Sequence, residues 1–209
     1  MKKEGDIELN MEVKAVLFDM DGVLVDSIHA WFHVVNDTLK HYGYKPFTFE
    51  YFKKNFGTSI EQDAKENYGN RNPKEIADFY NQRFRNRVNK VKLFKDALPA
   101  LKLLKKRKIK SALITNSTKL ITYSILKHFK IKEYFDVIVT YEDVKRGKPA
   151  PDLVLEACKR LKVKPKNAIL VGDTRYDMIA GKRAGVVSVG YRVKGDYKID
   201  NLKGIEKFI

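Results

Sequence analysis

Four short clusters place oxygen-bearing or cationic side chains where they could handle a phosphoryl group. The first is Asp19-Met20-Asp21-Gly22. In extended chain the side chains at i and i+2 point to one face, so Asp19 and Asp21 share a side and Met20 turns away. Two carboxylates then crowd one small space, and a hard cation such as Mg²⁺ suits their oxygens while keeping several waters. One carboxylate of such a pair can attack phosphorus, because Asp is a known covalent phosphoryl acceptor. The other can protonate a departing alcohol and later take a proton from water. Gly22 permits the tight turn that follows. Taken alone, the pair also fits an acidic turn at a strand end.

Thr115-Asn116-Ser117 offers a hydroxyl and backbone N–H groups at a helix start, which together bind anions; an ordinary N-cap fits the same residues. Lys148 lies in Gly147-Lys148-Pro149-Ala150-Pro151-Asp152, where the prolines stiffen the loop and Pro151 suits a first helical turn. Held there, it could neutralise a phosphate and a nucleophilic carboxylate, although most lysines of so basic a chain are solvated. Asp173 and Asp177 follow an apolar run ending in Gly172, and residues four apart share a helix face. Asp173 stands where a metal ligand belongs and Asp177 could ligate through water; acids at a helix N-terminus are also stabilising without a metal. Order, spacing and position, rather than any one cluster, carry the chemical reading.

The elements that must position these clusters are visible as apolar runs. Val13–Phe18, Ser111–Thr115, Asp136–Thr140, Ala168–Gly172 and Val186–Gly190 are strand-length and rich in Val, Ile and Leu. Helical patterns lie between them at Leu98–Lys106, Leu120–Phe129, Pro151–Leu161 and Tyr176–Ala184. Alternating elements, with no polar alternation inside the strands, predict an α/β fold with a parallel sheet covered by helices on both faces. Ligands of such sheets bind beyond the carboxyl ends of the strands, where all four clusters fall. One stretch breaks the rhythm. Ser27–Phe94 has no clean strand run but carries helical patterns at Ile28–His41, Ile60–Tyr68 and Pro73–Val88 and many aromatics. It reads as a helical insertion hinged near Asp26-Ser27 and Phe94–Ala97, with a small core of its own; helices packed directly on the sheet are the alternative.

Composition excludes several classes. The 209 residues carry 44% apolar residues, a globular value, and no run long enough to span a bilayer. The N-terminal stretch 1–12 reads as a polar lead-in without the apolar segment of a secretion signal, so a cytoplasmic location is expected. Cys158 is the single cysteine, so no internal disulfide can form. It reads as a small core residue rather than a nucleophile. A net charge of +16 admits an anionic partner, yet the lysines are scattered, no base-reading motif is present, and a lysine-rich surface is also a heat-adapted trait. His29 and His33, four apart on one helix, read as partly exposed helix residues before they read as ligands.

Asp19-Met20-Asp21-Gly22-Val23-Leu24-Val25-Asp26-Ser27, Thr115-Asn116-Ser117, Lys148-Pro149-Ala150-Pro151-Asp152 and Gly172-Asp173-Thr174-Arg175-Tyr176-Asp177, supported by Ala180–Gly185, resemble the four ordered motifs of the haloacid dehalogenase-like hydrolase superfamily. The resemblance runs from about Val13 to Tyr191. It implies a Rossmann-like core made of residues 1–26 and 96–209 and a mobile helical cap of residues 27–95. It implies Asp19 as nucleophile and Asp21 as acid/base. Thr115, Asn116 and Lys148 would hold the phosphoryl group. Asp19, the backbone carbonyl of Asp21 and Asp173 would bind Mg²⁺, with Asp177 in support. Asp21 tells against the dehalogenase branch, which has no leaving alcohol to protonate. Cap size and motif style are similar to phosphoglycolate phosphatase-like enzymes, with Gly57, Thr58 and Ser59 where such caps present a selectivity loop; a helix-capping turn fits those residues too. The expected protein is a Mg²⁺-dependent phosphatase of a small phosphorylated metabolite, monomeric or homodimeric. A phosphosugar mutase and a basic nucleic-acid-binding protein with a secondary phosphatase site are the alternatives.

Overall fold

The computed structural model describes residues 12–209, so all but the last residue of the expected polar lead-in lies outside it. β1 (Ala15–Phe18) leads into a two-residue strand β2 (Val25–Asp26) and then four helices: α1 (Ile28–His41), α2 (Phe49–Asn55), α3 (Ile60–Asn67) and α4 (Pro73–Arg85). β3 (Lys92–Leu93) returns the chain. There follow α5 (Ala97–Lys106), β4 (Lys110–Ile114), α6 (Lys119–Phe129), β5 (Val137–Val139), α7 (Asp152–Leu161), β6 (Ala168–Gly172), α8 (Arg175–Ala184), β7 (Val187–Tyr191) and β8 (Tyr197–Ile199).

Six strands form one sheet in the order β5-β4-β1-β6-β7-β8, and every pairing in it is parallel. Parallel strands in the middle of such a sheet are buried on both faces, which is why β1 and β6 read as unbroken apolar runs. Alternation along β1 divides the core: Val16 and Phe18 face a cluster shared with Leu101 and Leu104 of α5 and Ile121 and Ile125 of α6. Ala15 and Leu17 face Leu153 and Ala157 of α7 and Ala180 of α8. The sheet grows from β1 through β4 to β5, then resumes on the other side of β1 with β6. That reversal opens a crevice at the carboxyl ends of β1, β4 and β6.

The four-helix insertion leaves and re-enters through an antiparallel ribbon in which Val25 pairs with Leu93 and Asp26 with Lys92. Its helices have local reasons to start where they do. Thr48, Ser59 and Asn72 cap α2, α3 and α4 by accepting from the N–H groups of Tyr51, Gln62 and Lys74, and Pro73 occupies the first turn of α4. α1 buries Ala30, Trp31, Val34, Val35, Thr38 and Leu39, a stripe at three- and four-residue spacing. Trp31 packs against Tyr80 and Phe84 of α4 at 5.5 and 5.0 Å between ring centroids. This packing merges with the sheet-side cluster that contains Phe18 and Met20, rather than forming the separate small core expected from the aromatics.

Besides the β2–β3 ribbon, which no apolar run announces, three elements depart from expectation. α2 is a seven-residue helix whose aromatic-rich sequence carries too short a period to announce itself. β8 is three residues, Tyr-Lys-Ile, and pairs only along the sheet edge. α4 stops at Arg85, with a short 3₁₀ turn at Val88–Lys90 in place of the expected continuation. Among the described residues no helix is long and apolar enough to cross a membrane.

Candidate active site

β1 ends one residue before Asp19, and the chain then turns through Gly22, which sits at φ +86°. A Cβ on Gly22 would lie 2.0 Å from Asp173 Oδ2, so only glycine lets the first cluster and the loop after β6 come this close. β4 delivers Thr115, β6 delivers Asp173, and the loop before α7 delivers Lys148. Topology thus brings together Asp19, Asp21, Thr115, Asn116, Lys148, Asp173 and Asp177 at the crevice predicted for them.

Lys148 is the charge centre of this arrangement. Its side chain is 2% exposed, and Nζ lies 2.7 Å from Asp19 Oδ1 and 2.6 Å from Asp177 Oδ1. Burial alone would pull the ammonium's pKa down, but the carboxylates of Asp177 and Asp19 outweigh it and hold it above its ordinary value. Asp177 is positioned in turn. It closes a capping box at the start of α8, where its Oδ2 accepts from Thr174 N at 3.0 Å and Thr174 Oγ1 at 2.6 Å. Both Asp177 oxygens are therefore engaged by protein groups. Burial raises Asp19 to about 7; Lys148 opposes the rise, while the carboxylates of Asp177 and Asp21 add to it.

Asp21 is held differently. Ser27 Oγ and Trp31 Nε1 donate to its Oδ1, the latter at 3.1 Å, and Ser117 Oγ donates to its Oδ2 at 2.9 Å. Burial raises its pKa and these three donors oppose the rise. The sequence reading did not single out Ser27, Trp31 or Ser117 as a clasp on Asp21. In the sequence Trp31, the only tryptophan, reads as one of the many aromatics of the insertion's core.

Carboxylate oxygens of Asp19, Asp173 and Asp177 lie within 4.8 Å of one another. Asp173 Oδ1 is buried without a hydrogen-bond partner, and its pKa is raised well above the ordinary value, by burial first and then by Asp19 and Asp177. A buried orphan oxygen beside two further carboxylates suits a hard divalent cation. Asp21's carboxylate is not part of this group; it is turned towards its three donors.

Thr115 is buried, and its Oγ1 accepts from Ser117 N at 3.0 Å, which leaves the hydroxyl proton free to donate. Asn116 serves as a tie. Its Oδ1 accepts from Lys148 N at 2.7 Å, and its Nδ2 donates to Lys148 O at 3.0 Å and to Gly57 O at 3.1 Å. One amide therefore holds both backbone polar groups of Lys148 and reaches the insertion. Gly57, at φ +99°, passes so close to Thr174 that a Cβ would lie 3.0 Å from its methyl. Thr118 Oγ1 also bonds Asn81 of α4.

These contacts bring the insertion over the crevice and leave a cavity of about 100 Å³ between them, with Asp19, Asp21, Thr115 and Lys148 at one end. Gly57 and Thr58 line it, whereas Ser59 caps α3 by accepting from Gln62 N at 3.3 Å and stays out of the lining. Asp63, Glu66, Asn55, Asn67 and Tyr80 also line it, and the sequence reading missed them: each is an ordinary polar helix residue until the fold turns it inward. His29 stacks on Phe49 at 4.7 Å and is exposed. Cys158 is buried in α7, and burial pushes its thiol up to about 11.

Residues 16–191 match the family described as haloacid dehalogenase-like hydrolase. A candidate pyrophosphatase, PpaX, of Caldanaerobacter subterraneus subsp. tengcongensis is 32% identical, with 95% of this chain and 96% of that protein covered. The phosphorylated carbohydrates phosphatase of Thermotoga maritima is 31% identical over 83% of this chain and 82% of its own length. The crystal structure of β-phosphoglucomutase from Clostridium difficile superposes with a TM-score of 0.82 at 22% identity, covering 94% of this chain and 97% of that one, a likeness of fold.

Proposed function

This chain belongs to the haloacid dehalogenase-like hydrolase family and is a phosphoric monoester hydrolase, and on that footing we propose that it is a Mg²⁺-dependent phosphatase of small phosphorylated metabolites that works through an aspartyl phosphate on Asp19. The observation that carries the reading is the Lys148 ammonium shared between Asp19 and Asp177, beside the orphan oxygen of Asp173. A buried cation there lowers the cost of bringing a dianionic phosphoryl group up to a carboxylate.

In this reading the Asp19 carboxylate attacks phosphorus in line, with Lys148 and the Thr115 hydroxyl facing the phosphoryl oxygens. Asp21, oriented by Ser27, Trp31 and Ser117, gives its proton to the leaving oxygen as the P–O bond breaks. The same carboxylate then takes a proton from the water that attacks the aspartyl phosphate, releasing phosphate and restoring Asp19. Asp19, Asp173 and the backbone carbonyl of Asp21 would hold Mg²⁺, with Asp177 acting through Lys148. Bound there, Mg²⁺ supplies Lewis-acid neutralisation of the phosphoryl oxygens.

The insertion, residues 27–95, acts as a cap on the core, which is described over residues 12–26 and 96–209. Its closure excludes bulk water, and its opening at the β2–β3 ribbon releases product. Asn116 supports the phosphate site by fixing the Lys148 loop, and Gly57 and Thr58 lie where a cap residue meets substrate. Phosphate release from a panel of small phosphate esters, with Mg²⁺ and with EDTA, tests the reading. Wild type should release phosphate only with Mg²⁺. Asp19→Asn should fall to background with an unchanged circular dichroism spectrum, and substantial turnover in that variant would overturn Asp19 as nucleophile.

A further inference from the structure

The cavity's two ends differ in charge, and the difference bears on what the phosphate is attached to. Among the described residues twenty line it, and Lys148 is the only lysine or arginine of these. At the chain-wide frequency of 42 basic residues in 209, about four would be expected. Lys148 is already committed to Asp19 and Asp177 at the phosphoryl end. The insertion end carries two carboxylates, Asp63 and Glu66, and two amides, Asn55 and Asn67. Asp63 accepts from Thr58 Oγ1, from Asn67 Nδ2 at 3.3 Å and from Tyr80 Oη at 3.0 Å, which leaves it further acceptor capacity. The walls between are the rings of Trp31, Tyr51, Phe52 and Phe56.

From this lining we propose that the preferred leaving group is an uncharged, hydroxyl-bearing alcohol of the polyol or sugar type, and that esters carrying a second anionic group are disfavoured. The inference rests on the phosphatase reading of the same site. A substrate carboxylate or second phosphate reaching the insertion end would meet Asp63 and Glu66 with no lysine or arginine of the lining beside them; the Arg175 guanidinium, outside the lining, already interacts with Glu66. Hydroxyls would instead donate to those carboxylates and exchange hydrogen bonds with the amides, while the aromatic walls cover the C–H faces of a carbon skeleton. This departs from the phosphoglycolate-like substrate that the sequence resemblance suggests, because phosphoglycolate carries a carboxylate on its short leaving group.

A matched pair tests the proposal: 2-phosphoglycolate and 2-hydroxyethyl phosphate, which share a skeleton and differ by a carboxylate against a CH₂OH group, with pyrophosphate as a third probe. With Mg²⁺, kcat/KM for 2-hydroxyethyl phosphate should exceed that for both anions by at least tenfold. Glu66→Gln and Asp63→Asn should each narrow the gap, mainly by lowering KM for the anions. Glu66 is exposed, so its variant reads out charge without risk to folding. Equal or reversed preference overturns the proposal. Calorimetric binding of the two esters to Asp19→Asn gives the same ranking without turnover. A preserved ranking with no hydrolysis by wild type would sink the phosphatase reading and leave the pocket's preference standing; a lost ranking sinks the preference whatever the turnover.

Discussion

Asp63 offers a quantitative test of how the insertion is built. Its carboxyl lies on α3 among Thr58, Asn67 and Tyr80, and burial, partly offset by these hydrogen bonds, raises its pKa from 3.8 to about 6. A folded-state value above the unfolded one means that the folded protein binds the extra proton, so stability is greatest below pH 3.8 and is lost as pH rises through 6. At pH 5 the folded side chain is roughly nine-tenths protonated, whereas the unfolded one is almost fully ionised. Integrated from pH 5 to pH 7, this removes about 1.3 kcal/mol of stability.

Asp63→Asn deletes that dependence. An amide there keeps an acceptor for Thr58 and Asn67 and turns a donor towards Tyr80 Oη. Tyr80 lies 3.0 Å from Tyr68 Oη, which in turn lies 3.4 Å from Val35 O, so the hydroxyl chain can reverse its donor direction and stay satisfied. The difference in unfolding free energy between variant and wild type should therefore move by about 1.3 kcal/mol in favour of the variant between pH 5 and pH 7. For a chain of this size that is about 3–5 °C in Tm. Urea unfolding of both proteins at the two pH values measures it, and other titrating groups cancel in the comparison. A difference constant to within about 0.3 kcal/mol would show that Asp63 is ionised throughout and that the desolvation argument fails.

Lys148→Met should cost about 3–5 kcal/mol of stability in the absence of metal, since it strands two buried carboxylates; an unchanged melting temperature would refute the charge-centre reading. Gly22→Ala places a left-handed backbone under strain and a Cβ 2.0 Å from Asp173 Oδ2. It should cost at least about 1–2 kcal/mol and weaken the Mg²⁺-dependent rise in Tm, which thermal melts with and without the ion would show. Mg²⁺ at a hundred times its Kd should stabilise the wild type by about 2.7 kcal/mol, reversibly with EDTA; no shift at millimolar Mg²⁺ would tell against a site made of Asp19, Asp173 and the Asp21 carbonyl.

The sheet was legible because burial on both faces forces strands such as Ala15–Phe18 and Ala168–Gly172 to be apolar throughout, a pattern that needs no tertiary knowledge. The positions of Asp19, Thr115, Lys148 and Asp173 followed from that, since each lies just past an apolar run or in a proline-stiffened loop. What the sequence did not disclose depends on contacts between distant segments. Asn116 looks like a phosphate ligand until its amide is seen bonded to Lys148 and Gly57. Asp63 is one acid among many until α3 packs against α4. β8 and the β2–β3 ribbon are too short for periodicity and exist because a neighbouring strand offers them partners.

The ribbon has a consequence for how such a protein could change over time. Because Val25 and Leu93 are paired, the chain departs from the sheet and comes back at one point. To the six-stranded scaffold, everything between is a single elaborate turn. Substitutions, lengthenings or wholesale replacement of that turn leave strand order and register untouched, and with them the placement of Asp19, Lys148 and Asp173. Selectivity is thereby lodged in a part of the polypeptide that can be rewritten while the scaffold stands, provided Ser27 and Trp31 at its start keep their hold on Asp21.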